Sequence, residues 1–427
     1  MQSQLSLAND FKRVESVLDK IDWSFTSIRN YENHGISPFD CRKHHWYPAT
    51  FIPAIPFTLV EILTHPKATV YDPFSGIGTT YFQALLLGRK PFATENCRIA
   101  TEFTKSLFLL FNPDLLHSQM VDEICEEASK YNAQSKYFEE MQQTKDFQAI
   151  VNELSDWYAP GVFNQLSYLF LMENKCADTS KRAAMRIAIS AILKATCGQT
   201  RGWGCIADNM KPDEKQKKKT SDIDAIRVFQ NHIRRLLCDI GNHLKFISAD
   251  YREIYNEASH KQTIFQADNR YFDGIGDSSI DLVVTSPTYP NMTDYVKSQR
   301  LSYYWLGLSV TKDNEDGVRE IGARRKRGMK DSLSQYVSDM KKCNESLSKK
   351  IADGGYVCFV LPEFGNLNQN DSERKEVIQQ VINDFSNHLL KEKEIERIVP
   401  AGRKSHNIKW ATLEREKIYI FRKTKKA

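Results

Sequence analysis

A short apolar strand that runs into a glycine-rich turn and then into a helix is predicted near residues 68–88. The turn reads Asp72-Pro73-Phe74-Ser75-Gly76-Ile77-Gly78-Thr79-Thr80. Gly76 and Gly78 allow a tight bend and let a ligand approach the backbone without interference from a Cβ atom. The helix that follows offers free N–H groups to a carboxylate or a phosphate. This order of elements predicts a nucleotide-binding site at one end of an α/β sheet.

The next predicted strand, residues 91–94, brings an acidic residue to the same edge, because Glu95 follows it. In a nucleotide site, a carboxylate at this place can accept hydrogen bonds from both hydroxyls of a ribose. The alternative is a surface glutamate that caps the helix starting near Arg98. The glycine-rich turn lacks the third glycine of the dinucleotide fingerprint, which disfavours a nucleotide-dependent dehydrogenase. It also lacks the lysine of a P-loop, because Thr79 follows Gly78.

A second turn of chemical interest follows the β-branched strand predicted over residues 280–284. It reads Thr285-Ser286-Pro287-Thr288-Tyr289-Pro290-Asn291. The two prolines cannot continue a ladder and they restrict the residues before them, so the turn is stiff. Open α/β sheets bind ligands beyond the carboxyl ends of their strands, where this turn is expected. The alternative is an ordinary connection between a strand and a helix.

Hydrophobic periodicity predicts an α/β fold that is interrupted by a run of helices over residues 112–245. The α/β pattern then resumes, and its elements are predicted as a strand ending at Asp268, the strand at 280–284, a helix over 295–306, a helix over 333–351 closed by Gly354-Gly355, a strand at 356–361, a helix from about 373 to 390, and strands near 394–400 and 417–421. A final pair of strands after successive βα units predicts a mixed sheet whose last strand is antiparallel.

The same pattern divides the chain into three parts. Residues 1–43 form an N-terminal segment with an amphipathic helix, residues 44–111 and 246–427 form the α/β domain, and residues 112–245 form a helical insertion. A chain of 427 residues is long enough for two to three units of roughly 150 residues each.

Composition favours a soluble protein of the cytoplasm. The chain is 41% hydrophobic and 26% charged, as in ordinary globular proteins. No stretch approaches the roughly 20 apolar residues of a membrane span. Nine cysteines show no C-x-x-C pair, so we expect reduced thiols and no metal site. The net charge of +5 permits a polyanionic partner without requiring one.

Together, the two turns resemble the motifs of a known enzyme family. The turn at 72–80 resembles D-P-F-x-G-x-G-T-T, the S-adenosyl-L-methionine motif of amino-group DNA methyltransferases. The turn at 285–289 resembles T-S-P-P-Y, the catalytic motif of their cytosine-N(4)-specific branch. The resemblance covers residues 44–111 and 246–427 and leaves out the helical insertion. Thr288 departs from the pattern, because the family has its second proline there.

The resemblance implies a Rossmann-like methyltransferase fold and assigns roles to single residues. Ser286 Oγ and the Pro287 carbonyl would accept hydrogen bonds from the target amine, and Tyr289 would stack on a base that has left the duplex. The residues implied for cofactor binding are Asp72, Phe74, Ser75, Gly76, Gly78, Thr79, Thr80, Glu95 and Asp268. For Asp268, a solvated residue in a turn is an equally good interpretation.

Double-stranded DNA is the implied substrate, and basic residues outside the two motifs are candidates to bind it. The loop Arg324-Arg325-Lys326-Arg327 can read guanine edges, since arginine binds them through two hydrogen bonds. Trp203 lies near the lysine-rich segment 211–219, and basic residues beside an aromatic ring suit a nucleic-acid backbone. The alternative for this segment is a solvated loop, which is the usual place of a lysine cluster. The resemblance also implies a restriction endonuclease as a functional partner. The oligomeric state is not indicated.

Three other functions remain open from the sequence. Adenine-N(6) DNA methyltransferases and RNA methyltransferases share the expected fold, and the serine at the head of the 286–289 motif favours cytosine only through the resemblance. A nucleic-acid-binding subunit that has lost its activity is the alternative of another class, and Thr288 is the only residue that suggests it.

Overall fold

The computed structural model describes residues 11–23, 35–144, 151–199, 211–308, 310, 315–364, 369–398 and 415–424. Its strands are β1 (Thr69–Asp72), β2 (Lys90–Glu95), β3 (Ile264–Gln266), β4 (Ile280–Thr285), β5 (Ile351–Glu363), β6 (Leu390–Ile398) and β7 (Arg415–Arg422). The helices before β3 are α1 (Phe11–Leu18), α2 (Ala54–Leu63), α3 (Thr79–Leu86), α4 (Arg98–Leu110), α5 (His117–Ser129), α6 (Tyr137–Gln142), α7 (Val151–Ser155), α8 (Pro160–Lys175), α9 (Thr179–Thr196), α10 (Glu214–Lys219), α11 (Ala225–His243) and α12 (Tyr251–His260). Those after β4 are α13 (Tyr295–Ser298), α14 (Arg300–Trp305), α15 (Glu315–Arg319), α16 (Ser332–Lys350) and α17 (Gln369–Ser386).

The seven strands form one mixed sheet in the order β3-β2-β1-β4-β5-β7-β6. The pairs among β1 to β5 are parallel, and β7 is antiparallel to both β5 and β6. The predicted α/β fold with an antiparallel final strand is therefore confirmed. Because β1 and β4 are neighbours and parallel, their carboxyl ends lie side by side. The two turns that the sequence singles out leave the sheet at those ends.

Helices cover both faces of this sheet. Alternate residues of each central strand point to opposite faces, so each strand packs with helices on both sides. Leu282 and Val284 of β4 pack with α1 and α2 on one face. Val283, between them, packs with α17 on the other face. The amphipathic helix predicted near the N terminus is α1, and it buries Phe11 against Tyr356 of β5 with ring centroids 6.1 Å apart.

The helices of the insertion are continuous with the core beside α3 and α4. One cluster of buried side chains runs from α3 and α4 through α5, α8, α9 and α11 to α14. The apolar side chains of α9 and α11, among them Met185, Ile189, Phe229 and Ile233, are buried within this cluster. The insertion is therefore held against the side of the sheet by apolar packing rather than by a linker.

The predicted end of one helix is wrong. Helix α16 ends at Lys350 and β5 begins at Ile351, so Gly354 and Gly355 lie inside the strand. They serve an irregularity where β5 meets β4. Gly354 has φ 81°, and a Cβ atom on Gly355 would lie 2.9 Å from Ala352 O and 3.0 Å from Asp281 O. Glycine here permits a close approach of two strands.

Two other predicted helices have different bounds. The helix expected over 295–306 is divided into α13 and α14, which meet at Gln299. The helix expected over about 373–390 is α17, which begins four residues earlier and ends at Ser386, so Leu390 opens β6 instead. Among the helices that the structure describes, none is long and apolar enough to cross a membrane.

Candidate active site

A pocket opens at the carboxyl ends of β1, β2, β3 and β4. It encloses about 740 Å³, including the space at its mouth, which is within the usual size of a small-molecule site. Its walls include Phe74, Ser75, Gly76, Thr79, Glu95, Asp268 and Ser286. Seven of the residues proposed from the sequence thus line one cavity, although they lie at or beyond the carboxyl ends of four separate strands.

The glycine-rich turn is shaped by backbone conformations that side chains rarely adopt. Gly76 has φ 50° and Gly78 has φ 83°. A Cβ atom on Gly78 would lie 2.8 Å from Thr104 Cγ2 of α4 and 2.9 Å from Phe82 Cε2. Gly78 thus permits close packing between α3 and α4, whereas Gly76 and Ser75 face the pocket.

Glu95 supports this turn and also lines the pocket. One carboxylate oxygen accepts a hydrogen bond from Gly76 N and the other accepts one from Cys97 N, each at 2.8 Å. Burial raises the pKa of Glu95 to about 7 despite these two bonds. Each oxygen keeps a second lone pair, so the carboxylate can still accept the two hydroxyls of a ribose.

Asp72 does not line the pocket but joins its two motif-bearing turns. Its Oδ1 accepts a hydrogen bond from Phe74 N at 3.0 Å and one from Thr285 Oγ1 at 2.6 Å. The side chain is fully buried, and burial raises its pKa to about 6. Thr80 also binds the β4 end, since its hydroxyl donates to Val284 O at 3.0 Å. Asp72, Thr80 and Gly78 therefore support the pocket wall without lining the pocket themselves.

The turn after β4 places Ser286 and Thr288 in the pocket wall, whereas Pro287 and Tyr289 do not line it. The Ser286 and Tyr289 hydroxyl oxygens are 3.4 Å apart. The stacking role predicted for Tyr289 and the acceptor role predicted for the Pro287 carbonyl stay predictions.

Contacts with other elements fix the turn around Thr288, the residue that departs from the family motif. The Thr288 carbonyl accepts a hydrogen bond from the Tyr336 hydroxyl of α16 at 2.9 Å. Its own hydroxyl oxygen is buried and has no hydrogen-bond partner among the described residues. Asn291 adopts φ 57°, which asparagine tolerates better than most residues, and its N–H donates to Gly322 O at 2.9 Å.

Asp268 lies in the pocket wall but already has a strong partner. Its carboxylate receives hydrogen bonds from Arg270 Nε at 2.9 Å and Arg270 Nη2 at 2.6 Å. Its neighbour Asn269 also lines the pocket and donates to the Pro73 carbonyl. Asn269 belongs to neither motif and is not among the residues predicted from the sequence, although its place after β3 is a signal that could have found it.

Two aromatic residues and one segment of the pocket wall lie outside the two motifs of the sequence. Tyr47 and Tyr295 both line the pocket, and their rings stack with centroids 5.8 Å apart. The segment Arg319-Glu320-Ile321 closes the pocket from the side of α15. Tyr47 belongs to a stretch that resembles the family, but Tyr295 and the segment 319–321 are brought to the site only by the tertiary fold.

The basic loop 324–327 lies beside the turn that carries Ser286. Arg324 N donates to Thr293 O at 3.2 Å, and Arg325 N donates to Asp294 Oδ1 at 2.9 Å. The Arg325 guanidinium forms an ion pair with buried Glu320. Trp203, the other predicted DNA contact, lies outside the described residues.

Comparison with known proteins gives the site a family context. Residues 5–152 match the sequence model of the N6/N4 methyltransferase family, described as DNA methylase. The chain is also 24% identical over 293 residues to the type II methyltransferase M.MvaI of Kocuria varians. The chain is similar to DNA methyltransferases of the N6/N4 type. The match covers 65% of this chain and 60% of that relative, so the chain spans less than two thirds of the relative's length.

The pocket suits the cofactor that N6/N4 methyltransferases use, S-adenosyl-L-methionine. Ser75 Oγ is buried in the wall with no hydrogen-bond partner among the described residues, so it is available to a polar ligand. A Cβ atom on Gly76 would lie 3.4 Å from the Tyr47 ring, so glycine keeps this part of the cavity open. The Glu95 carboxylate, at the end of β2, is a further polar group of the pocket wall that suits this cofactor.

Proposed function

We propose that this protein transfers the methyl group of S-adenosyl-L-methionine to the exocyclic N(4) amino group of cytosine in double-stranded DNA. The observation that carries the proposal is the single pocket shared by Ser286 and the glycine-rich turn. Positioning two reactants in one cavity can supply much of a rate enhancement. The similarity to N6/N4 methyltransferases supports the methyl donor and the DNA substrate.

The chemical difficulty lies in the amine, whose lone pair is delocalised into the ring of the base. S-adenosyl-L-methionine, when bound, supplies a methyl group on a positively charged sulfur. Ser286 Oγ and the Pro287 carbonyl would accept the two amino hydrogens and favour a pyramidal nitrogen with an available lone pair. The proton lost by the nitrogen would leave through Ser286 to solvent. Tyr289 would stack on the extruded base.

Residues around the pocket would hold the donor in place. Glu95 would accept the ribose hydroxyls, and Ser75 with the Gly76–Gly78 backbone would bind the methionine end. Asp268 would lie near the adenine amino group. The oxygens of Asp268 keep lone pairs for this contact. Its ion pair with Arg270 makes it a weaker acceptor than an unpaired carboxylate.

DNA would approach the pocket over the loop 324–327, which is hydrogen-bonded to Thr293 and Asp294 just after the turn that carries Ser286. Trp203 and the lysine-rich segment of the insertion would add contacts. We also propose that the enzyme works in the cytoplasm as the modification activity of a restriction–modification or related defence system. A cognate restriction endonuclease would then be its functional partner.

Product analysis tests the proposal. Plasmid DNA from a host without this modification is incubated with the protein and isotopically labelled S-adenosyl-L-methionine, then digested to nucleosides. We expect labelled N(4)-methylcytosine. Labelled N(6)-methyladenine would show instead that the enzyme acts on adenine. Labelled RNA in a parallel reaction would show instead an RNA methyltransferase. If calorimetry detects no binding of S-adenosyl-L-methionine to the protein, it is instead a subunit without activity.

A further inference from the structure

Residues 315–326, here called the strap, connect the cofactor end of the pocket to the turn that carries Ser286. The strap contains α15, and its residues Arg319, Glu320 and Ile321 form part of the pocket wall. Apart from the basic residues 324–326 at its end, no motif of the sequence marks it. Its two ends are held by different sets of hydrogen bonds.

Asp316 fixes the first end of the strap next to the carboxyl ends of β2 and β3. Its Oδ2 accepts a hydrogen bond from the Tyr303 hydroxyl at 2.6 Å and from Arg98 N at 3.0 Å. Its Oδ1 accepts one from Gln266 Nε2 at 3.0 Å. The Asp316 backbone carbonyl accepts a fourth from Asn96 Nδ2 at 2.6 Å. Asp316 is 8% exposed, so this is a buried anchor with several partners.

The partners of Asp316 are next to residues that line the cofactor pocket. Asn96 lines it directly, and Arg98 begins α4 three residues after Glu95. Tyr303 also contacts Cys97, another wall residue, with its hydroxyl oxygen 3.4 Å from Cys97 Sγ. A ligand that changes the position of this wall therefore acts on the Asp316 anchor through direct contacts.

The second end of the strap is bound to the turn and to the start of α13. Glu320 Oε1 accepts a hydrogen bond from Val296 N at 2.7 Å. Gly322 O accepts one from Asn291 N at 2.9 Å, and Thr293 O accepts one from Arg324 N at 3.2 Å. A Cβ atom on Gly322 would lie only 3.2 Å from Tyr289 O. The strap and the turn are thus in direct backbone contact.

We infer that the strap couples cofactor binding to the geometry of the base-binding turn, and that Asp316 is its positioning residue. This inference rests on the proposed function, since it needs both ligands to bind. A bound cofactor would fix Asn96, Cys97 and the strap wall, and the strap would then hold residues 286–296 in one arrangement. By linkage, each ligand must strengthen the binding of the other by the same factor.

The measurement is the affinity of S-adenosyl-L-homocysteine, which cannot react, with and without saturating plasmid DNA. For the unaltered protein we expect DNA to tighten binding by a factor in the usual range of about 5 to 150. In Asp316→Asn the amide nitrogen cannot accept a hydrogen bond, so at least one of the three side-chain bonds is lost. We expect the factor to fall toward 1, and Tyr303→Phe should lower it less.

Hydrogen exchange gives a second readout. In the unaltered protein, S-adenosyl-L-homocysteine alone should slow exchange in a peptide covering residues 286–298, and in Asp316→Asn it should not. The matched control is Glu173→Gln, because Glu173 is also a buried carboxylate, 5% exposed, but pairs with Arg186 in the insertion. Its coupling factor should equal that of the unaltered protein.

The outcomes separate the inference from the proposed function. If Asp316→Asn is folded and keeps the full coupling factor, the inference is wrong. It is also wrong if the unaltered protein binds both ligands with a factor of 1, and the proposed function then stands. If the unaltered protein binds neither ligand, the proposed function is overturned and the inference with it.

Discussion

At the scale of single residues, the buried carboxylates define how the site responds to its surroundings. Glu95 and Asp72 lie at the ends of adjacent strands, and burial raises the pKa of both. Only Glu95 lines the pocket. The two residues therefore separate by role: Glu95 can meet a ligand, and Asp72 joins the glycine-rich turn to Thr285.

Cofactor affinity should depend on pH through Glu95. Ribose hydroxyls donate to the ionised carboxylate, and the pKa of Glu95 is about 7. Binding must therefore release a proton below pH 7. We expect the affinity for S-adenosyl-L-methionine to rise toward about tenfold per pH unit below this pKa and to level off above it. Calorimetry between pH 6 and pH 8 measures this affinity, because these values bracket the pKa by about one unit. Glu95→Gln should bind S-adenosyl-L-methionine more weakly, and its affinity should not change with pH. A sloping profile in that variant would assign the proton to another group.

Thr288→Pro should be tolerated. The substitution restores the family motif and keeps the carbonyl that Tyr336 binds, and no described backbone hydrogen bond uses the Thr288 N–H. It also removes a buried hydroxyl without a described partner, which costs about 1 kcal/mol or more when left unsatisfied. We expect an equal or higher melting temperature and methyl transfer within a few-fold. Tyr336→Phe, the control, should lower the melting temperature. A large loss in Thr288→Pro would show that the hydroxyl has a role.

At the scale of elements, the parts predicted well are those whose signal is local. The strand, glycine turn and helix of β1 and α3 follow from neighbouring residues, as does the turn after β4. The strap could not be predicted, because its bonds join residues 316 and 320 to partners far away in the chain. Gly354 and Gly355 resemble a helix end in the sequence, because a strand irregularity and a helix cap favour the same residue.

The contact between α3 and α4 predicts a large effect at Gly78. Alanine there would combine φ 83° with a Cβ 2.8 Å from Thr104. We expect Gly78→Ala to lower the free energy of unfolding by about 1–3 kcal/mol. Gly161→Ala in α8 is the control, since an added Cβ would have no described atom within 4 Å apart from its chain neighbours and the backbone of its own helix, and alanine favours a helix. Equal denaturation midpoints for the two variants would contradict this account of the turn.

At the scale of the whole molecule, the sheet brings together two turns that are more than 200 residues apart in the chain. The order β1-β4 makes this possible, and the insertion leaves it undisturbed because it packs to the side with α3 and α4. The sequence predicted that both turns lie at carboxyl ends of strands. It could not predict that those strands are neighbours, since pairing depends on the complete topology.

The DNA surface makes a further prediction. Arg324→Gln with Arg327→Gln tests the basic loop without removing the ion pair between Arg325 and Glu320, which belongs to the strap. For each DNA phosphate that the protein no longer neutralises, the dependence of log affinity on log salt concentration should fall by about 0.9. We expect the double variant to bind plasmid DNA more weakly with a shallower slope. Lys341→Gln with Lys375→Gln, exposed on α16 and α17, is the control and should leave the slope unchanged. If the arginine double variant has the same slope as the lysine control, the loop is not part of the DNA-binding surface.

The most direct test of the central claim compares chemistry and binding in Ser286→Ala. Ser286 lies in the pocket wall, and its only described side-chain hydrogen bond joins it to Tyr289 at 3.4 Å, so its loss should leave the fold intact. Methyl transfer to DNA and cofactor affinity are measured on the same preparation. We predict that transfer falls by at least about a hundredfold while cofactor affinity stays within a few-fold. Full transfer activity in Ser286→Ala would contradict the assignment of this turn as the site of reaction.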